Sequence, residues 1–156
     1  MLIILLAGLM GAVAGLRALT APAVVAWAAL LDWINLDGTW VSWLGHPIVV
    51  TLLTILAVIE LITDQLPKTP NRTSTLQFSV RLVTGGFAGA ALATAWGHPW
   101  AGLGAGIIGA VVGTMGGYEM RRKLSDNSGI DLPVALTEDA VALLAGFAIA
   151  ALTAVL

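Results

Sequence analysis

The sequence predicts an all-α fold, a polytopic bundle of about five transmembrane helices, and three observations point to it. Of the 156 residues, 58% are hydrophobic and only 10% are charged, whereas soluble domains carry about 25% charged residues. The mean hydropathy is +0.95. Long apolar runs recur along the chain, and in lipid such runs must be helices that pair their own backbone groups. We therefore expect one transmembrane domain covering residues 1–156.

Composition also excludes several classes of protein. The chain has no cysteine, so disulfides, thiol nucleophiles and cysteine metal ligands are ruled out. Its formal net charge is −2, whereas a nucleic-acid partner requires a basic face. The sequence shows neither an activated nucleophile nor a metal cluster, so we expect no enzymatic activity and no cofactor.

Five apolar segments are predicted to form the helices. They cover about residues 2–31, 47–63, 79–96, 100–119 and 136–156. The first is too long for one upright span, because a helix of about 30 residues measures about 45 Å against a hydrocarbon core of about 30 Å. It must tilt, break or turn back. The stretch "GLRALTAP", with Gly15, Arg17 and Pro22, is the predicted break, and broken helices with polar residues at the break recur in transporters.

The charges predict which side each connection faces. The basic residues cluster in or beside the second and fourth connections, 64–78 and 120–135: Lys68, Arg72 and Arg81 around the second, and Arg121, Arg122 and Lys123 in the fourth. By the positive-inside rule these connections are cytoplasmic. All six tryptophans fall at the other two connections, as expected at a membrane interface. With one crossing per segment, the N-terminus is inside, whereas a re-entrant first span would put it outside.

A two-helix repeat is a further candidate feature. "WLGHPIVV" begins the second segment and "WGHPWAGL" begins the fourth, while "GAVAGLRALTA" in the first loosely matches "GGFAGAALATA" in the third. The shared Gly-His-Pro places proline at the first helical position, where it costs nothing. His46 and His98 are therefore only weak candidates for a metal site, and we predict none.

Two carboxylates near the end of the second segment require an explanation. Glu60 and Asp64 are four residues apart, so they share one helix face and repel each other. Both lie toward the negative end of the helix dipole. A cation is therefore expected beside them, either Arg81 (the nearest in sequence), Arg17, Arg72 or a bound ion. A straight first helix keeps Arg17 far from Glu60, whereas a re-entrant hairpin lets them meet.

A second pair of acids opens the last segment in "TEDA". Thr137 is expected to cap the helix, with Glu138 and Asp139 in its first turn, where the dipole favours acids. The pair lies on the same side as Glu60 and Asp64. The residues that can build one ion or solute site, or a set of structural salt bridges, are therefore Arg17, Glu60, Asp64, Arg81, Glu138 and Asp139.

The fourth segment carries a stripe of glycines that predicts close helix packing. Steps of four, three, four and four residues place them on one face. The members are Gly102, Gly106, Gly109, Gly113 and Gly117. The partner helix can belong to the same chain or to a second copy, and we expect a homo-oligomer joined at Gly109 and Gly113.

Four stretches resemble a family of small bacterial integral membrane proteins defined only as domain of unknown function 4126. They are "AGLRALTAP", "ELITDQLPKTP", "SVRLVTGGFAGA" and "LTEDAVALLAG". The resemblance implies that the family's motif residues correspond to Arg17, Glu60, Asp64, Pro67, Arg81, Gly85, Glu138 and Asp139. Gln65 and Leu82 depart from it, standing where many members have lysine and proline. The resemblance implies a bacterial inner-membrane location and assigns no activity.

Three functions follow as hypotheses. The first is an oligomeric channel or transporter for an ion or small solute, with the six charged residues as its site. The alternative is a non-transporting membrane scaffold or assembly partner, in which the same charges are structural pairs. A third and weaker one is a lipid-modifying enzyme with an acid–arginine site. The bilayer is the expected surrounding in each case.

Overall fold

The structure, a computed structural model, describes residues 1–66, 74–128 and 131–156, and within these ranges it is all-helical. A short 3₁₀-helix, Ser42–Gly45, precedes the third α-helix. The α-helices are α1 Leu2–Leu16, α2 Thr20–Leu30, α3 Pro47–Thr63, α4 Thr75–Thr94, α5 Pro99–Ser128 and α6 Asp131–Thr153.

Three of the helices in the described ranges are long and apolar enough to cross a membrane. They are Thr75–Thr94, Pro99–Asn127 and Leu132–Thr153, while α1, α2 and α3 are shorter apolar helices. The predicted second segment, 47–63, coincides with α3. The last three helices begin earlier or end later than predicted, because polar residues such as those from Glu119 to Ser128 extend the helix beyond the apolar run.

The first predicted segment is not one helix. α1 ends at Leu16, Arg17 is extended with φ −141° and ψ 109°, and α2 begins at Thr20. On α6, Asp139 contacts Arg17, while a Cβ added at Gly146 would lie 3.2 Å from Val24 of α2 and 3.6 Å from Val13 of α1. Val13 and Val24 therefore lie on the same side of Arg17, so α1 and α2 run in opposite directions.

This hairpin corrects the expectation of a single crossing. A re-entrant first span requires this hairpin. The hairpin places the N-terminus at the same end of the bundle as the connection 31–46. α1 consequently runs parallel to α5, since Gly8 faces Ala105 and Gly15 faces Thr114. We call this end of the bundle the tryptophan end, and the opposite one, which carries Arg121, Arg122 and Lys123, the basic end.

α2 lies at the centre of the bundle. All of Thr20–Ala26 is buried, and the helix packs against α3, α6 and α4. Its C-terminal half is held at the tryptophan end by the indole N–H of Trp27, which donates to Thr54 Oγ1 at 3.0 Å. The indole N–H of Trp40 similarly donates to Thr94 Oγ1 at 3.1 Å. A helix that is buried on every side is expected to be apolar on every side, and α2 has this composition.

The glycine stripe of α5 packs within the chain. Gly102 and Gly106 lie against Gly85 and Gly89 of α4, and Gly109 lies against Gly8 of α1. Gly113 faces Ala12 of α1. Gly117 is also buried. The expectation that Gly109 and Gly113 join a second copy is therefore wrong, because α1 of the same chain already covers them.

The positions of Pro67, Lys68 and Arg72 lie outside the described residues. The prediction that the basic end faces the cytoplasm also stays a prediction. The candidate two-helix repeat also stays one, although both Gly-His-Pro motifs begin helices at the tryptophan end.

Gly109→Ala is expected to lower the free energy of unfolding by about 3 kcal/mol, because its Cβ would overlap the Gly8 backbone, which cannot move without displacing α1. The matched control is Gly104→Ala, where nothing lies within 4 Å of the new methyl group. That change should be neutral or stabilise by up to about 1 kcal/mol. Unfolding in mixed SDS and mild detergent, followed by circular dichroism, measures both; equal stabilities would contradict the packing.

Candidate functional site

The break between α1 and α2 leaves backbone polar groups unpaired inside the bundle. The last carbonyls of α1 and the first N–H groups of α2 have no partners within their own helices. Pro22 reduces this number by one, since it lies in the first turn of α2 and has no N–H. Away from water the remaining groups need side-chain partners. Two charged residues provide them.

Glu60 caps the start of α2. Its Oε1 accepts from the N–H of Ala18 at 2.7 Å, and its Oε2 accepts from the N–H of Leu19 at 2.8 Å. The positive end of the α2 dipole favours a carboxylate here. Glu60 is therefore stabilised by a second helix, although its own helix disfavours it.

Arg81 caps the end of α1. Its Nη1 donates to the carbonyl of Gly15 and, at 3.1 Å, to that of Leu16. The hydroxyl of Thr114 also donates to Gly15 at 3.2 Å. A cation is favoured at this negative helix end, and Arg81 is 2% exposed. Arg81, which the sequence predicted as the partner of Glu60 and Asp64, thus binds mainly the backbone carbonyls at the end of α1.

Arg17, which lies within the break, joins two other helices. Its Nη1 contacts Asp64 Oδ2, and its Nε donates to Asp139 Oδ1 at 2.5 Å, with Nη2 also beside that oxygen. Arg17 is fully buried. Asp139 also accepts from Nε2 of Gln65 at 3.2 Å. Arg81 reaches Asp64 only at 3.9 Å, so the ion pair predicted for it belongs mainly to Arg17.

These contacts bring five of the six predicted residues into one group. We call it the break cluster: Arg17, Glu60, Asp64, Arg81 and Asp139. Glu138, the sixth, is half-buried beside Asp139. The predicted cap at Thr137 is wrong, because α6 begins at Asp131 and places Thr137 in its second turn. There its hydroxyl donates to the carbonyl of Pro133 at 2.7 Å.

A cavity of about 300 Å³ adjoins the cluster. Glu60, Asp64 and Arg81 line it, together with Ala18 and Leu19 of the break. Its remaining walls come from α3 and α4. It has room for several water molecules or a small solute. The cluster thus has a dry side at Arg17 and Asp139 and an accessible side at Glu60 and Asp64.

The histidines serve as helix starts in this structure. His46 precedes Pro47, the first residue of α3, and its Nδ1 accepts from the N–H of Ile48 at 3.3 Å. His98 occupies the equivalent position before Pro99 of α5. No group of three or more histidine or carboxylate side chains with metal-binding geometry occurs among the residues described.

Sequence reasoning missed three contributors to the cluster: the backbone groups of the break, Thr114 and Gln65. The first had a signal. Once Arg17 is identified as a break, a free helix start and a free helix end follow, and each calls for a charge of opposite sign. Thr114 and Gln65 had none, since their contacts depend on the position of α5 and α6 in space.

In the part of the chain that the structure describes, six α-helices surround a buried charged cluster and three of them are long and apolar enough to cross a bilayer, as in a helical membrane protein. The chain belongs to the family described as Domain of unknown function (DUF4126), which it matches over residues 4–156. The resemblance identified from the sequence motifs is therefore confirmed. No curated protein and no solved structure matches the chain.

Asp139→Asn is expected to lower the free energy of unfolding by about 3 kcal/mol, because it leaves the buried guanidinium of Arg17 with one carboxylate instead of two. Glu119→Gln, a change of the same kind at an exposed position of α5, should alter it by less than about 0.5 kcal/mol. Adding Arg17→Met to Asp139→Asn should cost less than the sum of the two single changes. Strict additivity in this double-mutant cycle would contradict the pair.

Proposed function

We propose that the protein is a small membrane transport protein, a channel or transporter, in which the break cluster binds the transported or coupling ion. The observation that carries this proposal is the cavity of about 300 Å³ that reaches Glu60, Asp64 and Arg81. A cluster built only to hold helices together would gain nothing from such a space. Intramembrane charges beside a cavity are typical of ion pathways.

The charge balance of the cluster favours a cation. Among the described residues of the cluster, two arginines stand against three carboxylates, so their formal sum is −1. An uncompensated charge in a low-dielectric interior is costly. A proton or another small cation at the open side of the cluster would remove that cost.

The helix break supplies a second argument. Transporters commonly place ion sites where helices are interrupted, so that helix ends and freed backbone groups take part in binding. Here the N–H groups of Ala18 and Leu19, just before α2, already hold one carboxylate that lines the cavity. Movement of α2 relative to α3 would therefore change the environment of Glu60 directly.

The alternative function, a non-transporting scaffold or assembly partner, is favoured by one observation. Arg17 is fully buried and pairs with acids from α3 and α6, an arrangement that joins three segments. In that case the cavity would be incidental. We further propose a bacterial inner-membrane location with the basic end inside and self-association through a surface other than the glycine stripe.

Purified protein in liposomes tests the proposal. We expect uptake of at least one of H⁺, Na⁺ or K⁺, driven by a concentration gradient, to exceed that of protein-free liposomes. Glu60→Gln keeps the shape of the side chain, removes its charge and leaves one oxygen to accept from Ala18 or Leu19. With folding checked by circular dichroism, the variant should show that uptake reduced about ten-fold or more. Glu119→Gln, at an exposed position outside the cluster, should transport as the parent does.

Two results would contradict transport. The first is parent protein that moves none of the three cations faster than empty liposomes. The second is Glu60→Gln that folds and transports like the parent. In either case the scaffold function would be the better explanation, and the stability effect expected for Asp139→Asn would persist.

A further inference from the structure

The cavity is a groove between α3 and α4 with an apolar mouth. α3 packs on α2 and the 3₁₀-helix, while α4 packs on α5 and α1, which leaves the space between them unfilled. Leu56 and Ile59 of α3 and Val80 of α4 line it and are 37%, 49% and 43% exposed. These residues belong to apolar helices, so the rim of the groove is apolar.

The floor of the groove carries an excess of negative charge. Among its described lining residues, Glu60 and Asp64 lie opposite one arginine, Arg81. Arg81 directs Nη1 at the carbonyls that end α1. Asp64 uses Oδ2 for its contacts with arginine, while its Oδ1 accepts no hydrogen bond from the described residues. Among the described residues, the groove therefore presents a carboxylate oxygen that can accept from a positively charged donor.

The side chains above the floor select the rest of the ligand. Between the floor and the mouth the lining is mainly aliphatic, with Thr63 and Gln77 as its uncharged polar members. A proton or a small metal ion would use only the carboxylates, whereas an organic cation would also gain from contact with these walls. A volume of about 300 Å³ lies at the lower end of small-molecule sites. The shape and chemistry together require a positive head and a short apolar body.

We propose that this groove is a binding site for a small primary ammonium ion with a short aliphatic tail. The ammonium group donates to Asp64 Oδ1 and lies beside Glu60, and the tail packs along Leu56, Ile59 and Val80. This inference rests on the proposed function only for the idea that the bound cation is also transported. Binding itself requires no transport and is measured without a gradient.

The test uses the full-length protein in phosphatidylcholine nanodiscs and isothermal titration calorimetry, with empty nanodiscs subtracted. Butylammonium is expected to bind about ten-fold or more tightly than 1-butanol, which lacks its charge. It should also bind about ten-fold more tightly than methylammonium, which lacks the tail. Butyrate, with the opposite charge, should not bind.

A pair of tryptophan variants on one helix face locates the site. Leu56→Trp places a larger side chain in the groove from a partly exposed position, so it should fold normally and weaken butylammonium binding about ten-fold or more. Leu52→Trp lies one turn earlier, is 55% exposed and does not line the groove, so its affinity should equal that of the parent.

Three outcomes would overturn the site: equal affinity for butylammonium and 1-butanol, equal affinity for butylammonium and methylammonium, or unchanged affinity in Leu56→Trp. The two proposals fail separately. Cation uptake in liposomes without butylammonium binding would remove the ammonium site and leave transport standing. Butylammonium binding without uptake of any cation would leave a ligand site in a protein that does not transport.

Discussion

The structure depends on one constraint, the need to satisfy the backbone where the first span is interrupted. In lipid or in a packed core, an unpaired N–H or carbonyl costs several kcal/mol, so a broken helix survives only if side chains replace its missing bonds. Glu60 does so for α2, and Arg81 with Thr114 does so for α1. Each charge lies at the helix end whose dipole favours it. The two acids of the otherwise apolar α3 are thus explained by the break between α1 and α2: Glu60 binds its backbone, and Asp64 pairs with its Arg17.

Close packing at the glycines of α5 brings the side chains that cap the break within hydrogen-bond distance of it. Because α1 approaches α5 at Gly109 and Gly113, its last turn comes within hydrogen-bond distance of Thr114. α4 approaches α5 at Gly102 and Gly106, and this contact holds Arg81 on α4 close to the same turn. α3, by contrast, lies at the edge of the bundle with most of its surface exposed. Its charged end therefore combines contacts to the core with an open groove, as a binding site requires.

Much of the fold could be predicted from the sequence, since hydropathy locates the apolar helices and "GLRALTAP" locates the break. The charged residues of the site were also identifiable, because each is costly in an apolar segment. Their pairing was not. Whether Arg17 meets Asp64 or stays remote depends on the direction of α1, and hydropathy is the same for a straight helix and a hairpin. Gly109 illustrates the same limit, since a small-residue face specifies close packing without specifying the partner.

The central claim is that α1 and α2 form a hairpin turned at Arg17, and a distance across it is the most direct test. The chain has no cysteine, so spin labels on cysteines introduced at Leu2 and Leu31, both exposed, would be the only ones present. A continuous helix would separate these positions by about 43 Å. The hairpin places both at the tryptophan end, so pulsed electron paramagnetic resonance should give a main distance below about 30 Å, the length of about 20 helical residues. A main distance near that of the continuous helix would contradict the hairpin and the cluster built on it.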